Sequence, residues 1–230
     1  MDDTLTYPTD TIRQTDFWGQ HSVEGREFYR KLDEYIKRSS NPDEVSGAII
    51  SKIFLAEKPQ TASFIKKLQD RGIKVIALTN WPTRELGSIP SMATWRFDKL
   101  VQVGINFSAS FEPQEIVLNN GQTAGGKQPM FYKGILLTDG ATKGSVLGTF
   151  LDVVHYKPDQ IIFFDDQAKQ IESVKNEAHA RGITYHGFIY KAAEKLPRHY
   201  DPAAIDLQSK YLIERHEYIT EAQARELLKK

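Results

Sequence analysis

Hydrophobic residues at helical spacing predict two helices in the first quarter of the chain. Around residues 23–38 the apolar positions that share one helical face are Phe28, Leu32, Tyr35 and Ile36. A second helix is predicted to begin at Asn41, because an N-cap residue is followed by Pro42 at the first helical position and by Glu44 in capping-box register. We therefore expect a small helical insert over about residues 8–56.

Two continuous apolar runs predict buried strands. Residues 75–78 are followed by Thr79 and Asn80, and residues 161–164 are followed by Asp165 and Asp166. Uninterrupted apolar runs of this length are typical of parallel strands, which are buried on both faces. The carboxyl ends of such strands border the crevice where open α/β sheets bind ligands. The pattern therefore indicates an α/β fold with polar side chains at one edge of its sheet.

The rest of the chain completes this organisation. Helices are predicted from about Pro59 to Gly72, from Lys143 to about His155, from about Gln167 to the neighbourhood of Ala180, and after the capping box that begins at Thr220. A strand is predicted over residues 183–190. Short β-like runs at 105–107, 115–118 and 130–137 predict a β-rich insert over about residues 98–140. We expect residues 1–230 to form a single domain that contains both inserts.

Composition excludes several classes of function. Formal net charge is zero, so bulk charge predicts no nucleic-acid partner. The absence of cysteine excludes disulfides, thiolate chemistry and cysteine-bound zinc. No stretch approaches the roughly 20 apolar residues of a membrane span, and the N-terminus lacks the features of a signal peptide. A cytoplasmic location is the default expectation, and export is expected only if a signal precedes Met1.

The polar residues at the strand ends have purely structural interpretations as well as functional ones. Thr79 and Asn80 could form a strand-ending turn, and Lys143 could be a solvated lysine. Asp165 and Asp166 are harder to explain in this way, since two like charges directly after four large apolar residues repel each other unless a cation or a helix N-terminus compensates them. The aspartate pair therefore favours a functional site.

Together with the sequence Asp2, Asp3, Thr4, Leu5 at the N-terminus, these segments resemble, in order, the four motifs of the haloacid dehalogenase (HAD) superfamily, most closely an uncharacterised bacterial branch related to acid phosphatases. The resemblance implies a Rossmann-like parallel sheet flanked by helices and Mg²⁺-dependent phosphatase activity through an aspartyl-phosphate. It assigns the following roles. Asp2 is the acid/base and contributes to the metal site, Thr79 and Asn80 bind the phosphoryl group, Lys143 is the catalytic cation, and Asp165 and Asp166 bind Mg²⁺.

The chemistry of these side chains agrees with the roles that the resemblance implies. Phosphoryl transfer needs an in-line nucleophile, a cation near the equatorial oxygens and a proton donor for the leaving group. Magnesium prefers hard oxygen ligands, which adjacent carboxylates provide, and a lysine meets phosphate as a point charge. The expected substrate is a small phosphorylated molecule.

The family's nucleophile would lie one residue before Met1. We interpret Met1 as an internal methionine of a longer sequence in which an apolar strand, central in the family's sheet, ends in that aspartate. Loss of a covalent nucleophile lowers turnover by about 10⁶ in a well-studied protease, so the chain as given is expected to be nearly inactive. The alternative is a catalytically silent HAD-like protein that keeps the site for binding or interaction.

One competing motif is rejected. Residues 121–127 fit the spacing of a phosphate-binding P-loop, but Gln128 stands where the loop needs a Mg²⁺-binding hydroxyl, and Pro129 opposes a continuing helix. The six histidines show no metal-ligand spacing.

Overall fold

The computed structural model describes residues 4–10, 23–51, 55–57, 60–118, 128–191 and 201–229. In chain order the elements are β1 (Thr6–Pro8), α1 (Val23–Arg38), α2 (Pro42–Ser51), β2 (Leu55–Glu57), α3 (Thr61–Gln69), β3 (Ala77–Thr79), α4 (Met92–Gln102), a 3₁₀ turn (Ser108–Ser110), β4 (Glu115–Val117), β5 (Met130–Tyr132), β6 (Ile135–Leu137), α5 (Lys143–Val153), β7 (Gln160–Asp165), α6 (Ala168–Ala180), β8 (Thr184–Ile189), α7 (Pro202–Arg215) and α8 (Glu221–Leu228). The predicted α/β class is confirmed. None of the helices in the described ranges is long and apolar enough to cross a membrane.

The chain divides into two compact units. The first comprises Met1–Thr6, Glu57–Arg84 and Ser91–Ala193, and the second comprises Tyr7–Ala56, Glu85–Pro90 and Glu194–Lys230. Strands β3 to β8 belong to the first unit. Helices α1 and α2, which lie in the segment predicted as a helical insert, belong to the second. The single domain over residues 1–230 stays a prediction.

The main sheet of the first unit is mixed, with the strand order β3-β6-β5-β4. Strands β3 and β6 are parallel, with Ala77 opposite Ile135, whereas β5 runs antiparallel to both β6 and β4. The antiparallel step follows from the tight turn between β5 and β6, where Lys133 and Gly134 both have positive φ, 45° and 85°. A two-residue turn of this kind joins only antiparallel strands. Strands β7 and β8 form a separate parallel pair over six residues each.

Helices cover both faces of the main sheet. One face packs Leu78 and Leu136 against α5 and α6, in a core that includes Val146, Phe150 and Val174. The opposite face packs residues such as Ala77 and Leu137 against α3 and α4. The arrangement follows from the alternation of side chains along each strand, which sends neighbouring apolar residues to opposite faces.

Helices α5 and α6 approach each other closely at Gly144. A Cβ atom at this position would lie 2.2 Å from the main-chain oxygen of Ser173. The Gly144 amide donates a hydrogen bond of 3.0 Å to Ser173 Oγ. Helix α5 begins at Lys143, as predicted, after Thr142 caps it by accepting from the Ser145 amide. The close contact therefore fixes the first turn of α5, which carries Lys143.

The second unit is helical. Its core joins α1, α2 and α7 and contains Leu32, Ile49, Ile205, Leu212 and Tyr218. Two predicted caps are confirmed in this unit: Asn41 Oδ1 accepts from the Glu44 amide at the start of α2, and Thr220 forms a capping box with Gln223 at the start of α8.

One predicted strand is wrong. Residues 105–107 form no strand and lead instead into the 3₁₀ turn. Asn106 Oδ1 accepts a hydrogen bond of 2.9 Å from the Ser108 amide. When an asparagine side chain accepts from the backbone amide two residues later, the chain forms a turn instead of pairing in a sheet. The alternating apolar pattern does not show which of the two structures forms. The strands predicted within 115–118 and 130–137 are confirmed as β4, β5 and β6.

Candidate active site at the carboxyl ends of the strands

The end of β3 is tied to the loop that follows β6. The Thr79 carbonyl accepts a hydrogen bond of 2.9 Å from the Thr138 amide. Asn80 Oδ1 accepts from Thr138 Oγ1 at 2.6 Å and from the Gly140 amide at 3.1 Å. Thr79 is buried and Asn80 is exposed. The side-chain oxygen of Asn80 is therefore held by the loop that follows β6.

Lys143 and Asp165 form a buried ion pair. Lys143 Nζ lies 2.5 Å from Asp165 Oδ2, and the side chains are 7% and 1% exposed. Lys143 is the first residue of α5, and Asp165 is the last residue of β7. The other carboxylate oxygen, Oδ1, accepts a hydrogen bond of 3.0 Å from the Gln167 amide. The pair joins the helix N-terminus to the strand end, and together with the Gln167 amide it gives each oxygen of the carboxylate a hydrogen bond.

Asp166 lies beside this pair with its charge only partly compensated. Burial, and next to it repulsion from Asp165, raise the pKa of the Asp166 carboxyl, while Lys143 acts in the opposite direction. Burial and repulsion both destabilise the ionised form of Asp166, so a cation bound by the two carboxylates would stabilise that ionised form. The repulsion inferred from the sequence is therefore present in the structure, and Lys143 relieves it in part.

Five residues of the predicted site lie in the described ranges: Thr79, Asn80, Lys143, Asp165 and Asp166. Lys143 touches Asp165 directly, and Asn80 holds the loop of residues 138–140, which leads through Thr142 into the first turn of α5. Among the described residues, no hydrogen bond joins the Thr79 side chain to Lys143 or Asp165. Asp2 lies outside the described residues.

The first described residues, 4–6, belong to the first unit. Leu5 packs against the core cluster that contains Ala77 and Leu137. The hydroxyl oxygens of Thr4 and Thr6 are buried and have no hydrogen-bond partner among the described residues. Buried hydroxyls without a partner cost free energy of folding.

The loop after β6 was missed by reasoning from the sequence. Thr138, Asp139 and Gly140 directly follow the apolar strand Ile135–Leu137, with φ values of 48° at Asp139 and 80° at Gly140. The Asp139 carboxylate accepts a hydrogen bond of 2.8 Å from the Gln128 amide. A polar Thr-Asp-Gly sequence after an apolar run is the same signal that identified Thr79 and Asp165, but it fell within the segment interpreted as an insert.

The described end of β7 offers two adjacent carboxylates, Asp165 and Asp166, as the possible protein ligands of a metal ion. The structure shows no cluster of three or more His, Cys, Asp or Glu residues suited to a metal within the described ranges. Magnesium keeps several waters and is usually bound through one or two carboxylates. Asp165 and Asp166 supply that number, and each Asp165 oxygen retains a lone pair beyond its present hydrogen bond.

Comparison with known proteins identifies the family. Residues 1–225 match the model described as "Protein of unknown function (DUF2608)". The chain belongs to this family. Relatives include an uncharacterized protein of Rickettsia prowazekii (strain Madrid E), 24% identical over 186 residues, which covers 81% of this chain and 67% of the relative. Another from Rickettsia typhi (strain ATCC VR-144 / Wilmington) is 29% identical over 132 residues, or 56% of this chain and 45% of the relative.

A third relative, from Rickettsia felis (strain ATCC VR-1525 / URRWXCal2), is 26% identical over 132 residues, or 56% of this chain and 45% of the relative. The matched part of the chain thus spans about half to two thirds of the length of these relatives. No solved structure matches the chain.

Proposed function

We propose that this chain is the greater part of a Mg²⁺-dependent phosphohydrolase with a HAD-like, Rossmann-type core, which acts on a small phosphorylated molecule. The observation that carries the proposal is the buried Lys143–Asp165 pair beside Asp166 at the carboxyl end of β7. The positive charge of a lysine is unfavourable at the N-terminus of a helix, which is the positive end of the helix dipole. A lysine buried there therefore needs a carboxylate partner, and its presence calls for a functional explanation. Charge neutralisation in phosphoryl transfer is such a reason.

In this proposal each site residue has one role in the reaction. Lys143 holds Asp165 in place and faces the negative charge of the phosphoryl oxygens. Asn80 donates its amide N–H to the same group, and Thr79 offers its hydroxyl. Asp165 and Asp166 would hold the Mg²⁺, which supplies charge neutralisation at the phosphate when bound. Asp2 would protonate the leaving oxygen, and the nucleophilic aspartate would be the residue that precedes Met1.

A catalytically silent binding protein is the second candidate. It is favoured by the contacts of Asp165, whose two oxygens each already accept one hydrogen bond, from Lys143 and from the Gln167 amide. An ion pair of this kind can be retained for structure alone. The two candidates differ in turnover, although both predict that the site binds a cation.

The test uses a chain extended at its N-terminus by an apolar strand that ends in aspartate. We expect hydrolysis of p-nitrophenyl phosphate that requires Mg²⁺ and is lost when the added aspartate is changed to asparagine. Asp166→Asn should weaken Mg²⁺ binding, measured by titration calorimetry, by at least about tenfold. Asp159→Asn is the matched control, because Asp159 is an exposed carboxylate at the opposite end of β7 and should leave affinity within about twofold.

The outcomes separate the candidates. Mg²⁺ binding that depends on Asp166, without turnover by the extended chain, would favour the silent binding protein. An extended chain that neither binds Mg²⁺ nor hydrolyses the ester would refute both the metal site and the phosphatase.

A further inference from the structure

A tight turn follows β6. The Thr138 carbonyl accepts a hydrogen bond of 2.9 Å from the Ala141 amide. The two residues between them, Asp139 and Gly140, have φ values of 48° and 80°. Positive φ at both central residues fits a type I′ turn, in which the pair Asp-Gly is favoured. We call residues 138–141 the β6 turn, and its backbone follows from the local sequence.

The backbone of the β6 turn is bonded to the end of β3. The Thr138 amide donates to the Thr79 carbonyl at 2.9 Å, and the Asp139 amide donates to the Trp81 carbonyl at 3.2 Å. The two acceptors lie on either side of Asn80 in the chain. These bonds therefore hold the backbone of Asn80 beside the turn.

The turn also fixes the orientation of the Asn80 side-chain amide. The Gly140 amide donates to Asn80 Oδ1 at 3.1 Å. A backbone N–H can only donate, so the branch of the side chain that faces it carries the oxygen. The Thr138 hydroxyl lies 2.6 Å from the same oxygen and donates to it, because an amide oxygen can only accept. The nitrogen Nδ2 is thus held on the branch that points away from both donors.

The Nδ2 group of Asn80 is open to a ligand. Asn80 is exposed, whereas Thr138 is 0% exposed. Within the described part of the chain, no acceptor is found for Asn80 Nδ2. Leu78 and Leu136 pack in the core around α5, and the alternation of side chains places Asn80 and Thr138 on that same face of the sheet. The helix that covers this face begins with Lys143.

We propose that Thr138 is a positioning residue, which holds the Asn80 amide so that its N–H groups face the phosphoryl oxygens. The inference rests on the phosphoryl-binding role proposed for Asn80. An amide turned by half a rotation would present its oxygen, which repels the oxygens of a phosphate. The hydrogen bonds from Thr138 and Gly140 favour the donating orientation before the ligand binds, and such preorganisation increases affinity. Thr138 acts through Asn80 and needs no contact with the ligand.

The experiment measures the binding of inorganic phosphate to the full chain in the presence of Mg²⁺, by titration calorimetry. Thr138→Val keeps the shape of the side chain but removes the hydroxyl, and should weaken binding by about tenfold. Thr138→Ser keeps the hydroxyl and should bind within about twofold of the unsubstituted chain. The matched control is Thr149→Val, because the Thr149 hydroxyl donates to the Ser145 carbonyl within α5 at 3.0 Å. It should leave the affinity within about twofold.

A double-mutant cycle tests whether Thr138 acts through Asn80. Asn80→Ala should weaken phosphate binding by at least about tenfold, and adding Thr138→Val to it should change the affinity by less than about twofold. A merely structural role would instead multiply the two effects. Urea unfolding of each variant shows whether it is folded, and Thr138→Ala serves as a second variant if valine is not accommodated. Asn80→Asp provides a further check, because a carboxylate still accepts from the turn but has no N–H to offer, and it should bind phosphate as weakly as Asn80→Ala.

The outcomes separate this inference from the proposed phosphatase. Phosphate binding that depends on Asn80 but is unchanged in folded Thr138→Val and Thr138→Ala would overturn the positioning role alone. Independent effects in the double variant, or a serine variant as weak as the valine variant, would overturn it as well. A chain that binds no phosphate, or binds it equally well as Asn80→Ala, would overturn the positioning role and would also count against the proposed phosphoryl site.

Discussion

Replacement of Lys143 by methionine should destabilise the first unit strongly. At the observed separation of 2.5 Å between Lys143 Nζ and Asp165 Oδ2, the gross Coulomb attraction is about 7 kcal/mol at an effective dielectric constant of about 20. Most of this attraction offsets the cost of taking both charges out of water. Methionine keeps the length of the side chain but leaves Asp165 as an uncompensated charge with 1% of its side chain exposed. The expected loss in free energy of unfolding is roughly 3–5 kcal/mol.

The matched control is Lys66→Met. Lys66 Nζ lies 2.8 Å from Asp70 Oδ1, but the two side chains are 74% and 59% exposed. An exposed pair four residues apart on a helix contributes only about 0.3–0.5 kcal/mol. The two substitutions remove the same charge at a similar separation. The difference between their effects on the free energy of unfolding therefore measures the contribution of burial.

The assay is urea unfolding at neutral pH, followed by the fluorescence of Trp81 and Trp95, which both lie in the first unit. Adding Asp165→Asn to the Lys143→Met variant should recover part of the stability, because it removes the unpaired charge. A loss below about 1 kcal/mol for Lys143→Met, or equal losses for Lys143→Met and Lys66→Met, would refute the reasoning.

Three further predictions concern packing, hydrogen bonding and pH. Gly144→Ala should cost about 1–3 kcal/mol in urea unfolding, because the added Cβ would lie 2.2 Å from the main-chain oxygen of Ser173. Ser110→Ala should cost about 1–3 kcal/mol, because the Ser110 hydroxyl bonds both the N–H and the C=O of Val75 and alanine leaves them unpaired. Burial raises the pKa of the Asp10 carboxyl in the folded protein. The protonated carboxyl therefore stabilises the folded protein fully below the unfolded pKa of about 4, and this stabilisation is lost as the pH rises through the folded pKa. Asp10→Asn should therefore gain stability relative to the unsubstituted chain between pH 4 and pH 7 in paired urea titrations.

Each of these variants has a control. Gly148→Ala should cost less than Gly144→Ala, because the atoms nearest to its Cβ belong to the movable side-chain ends of Glu177 and Arg181. Ser108→Ala removes a neighbouring hydroxyl and should change stability by less than about 0.5 kcal/mol. Asp206→Asn removes an exposed carboxylate from α7, and the same pH dependence in this variant would contradict the role of burial at Asp10. A more stable Gly144→Ala variant would contradict the close contact between α5 and α6.

Local signals in the sequence predicted the elements that carry the candidate site. The apolar run before Asp165 became β7, and the helix predicted to begin at Lys143 became α5. The caps at Asn41 and Thr220 were predicted from side chains that bind backbone groups three residues away. Interactions of this range depend on neighbours in the chain, so the sequence alone is sufficient to reveal them.

The partners of each strand could not be predicted in the same way. The sequence did not reveal that β5 reverses direction or that residues 105–107 take a turn, because apolar runs predict strands without showing their direction or their partners. Nor did it indicate that Thr138 and Gly140 hold Asn80 across 58 and 60 positions of the chain.

The sequence by itself determined β7, the helix that begins at Lys143, the strands within 115–118 and 130–137, the neutral charge and the polar residues at the strand ends, since each follows from residue type and short-range spacing. Only the tertiary structure decided that Lys143 pairs with Asp165 in a buried setting and that β3 lies beside β6 in a mixed sheet. Burial and strand pairing depend on segments distant in the chain, and their contributions arise only when those segments pack together.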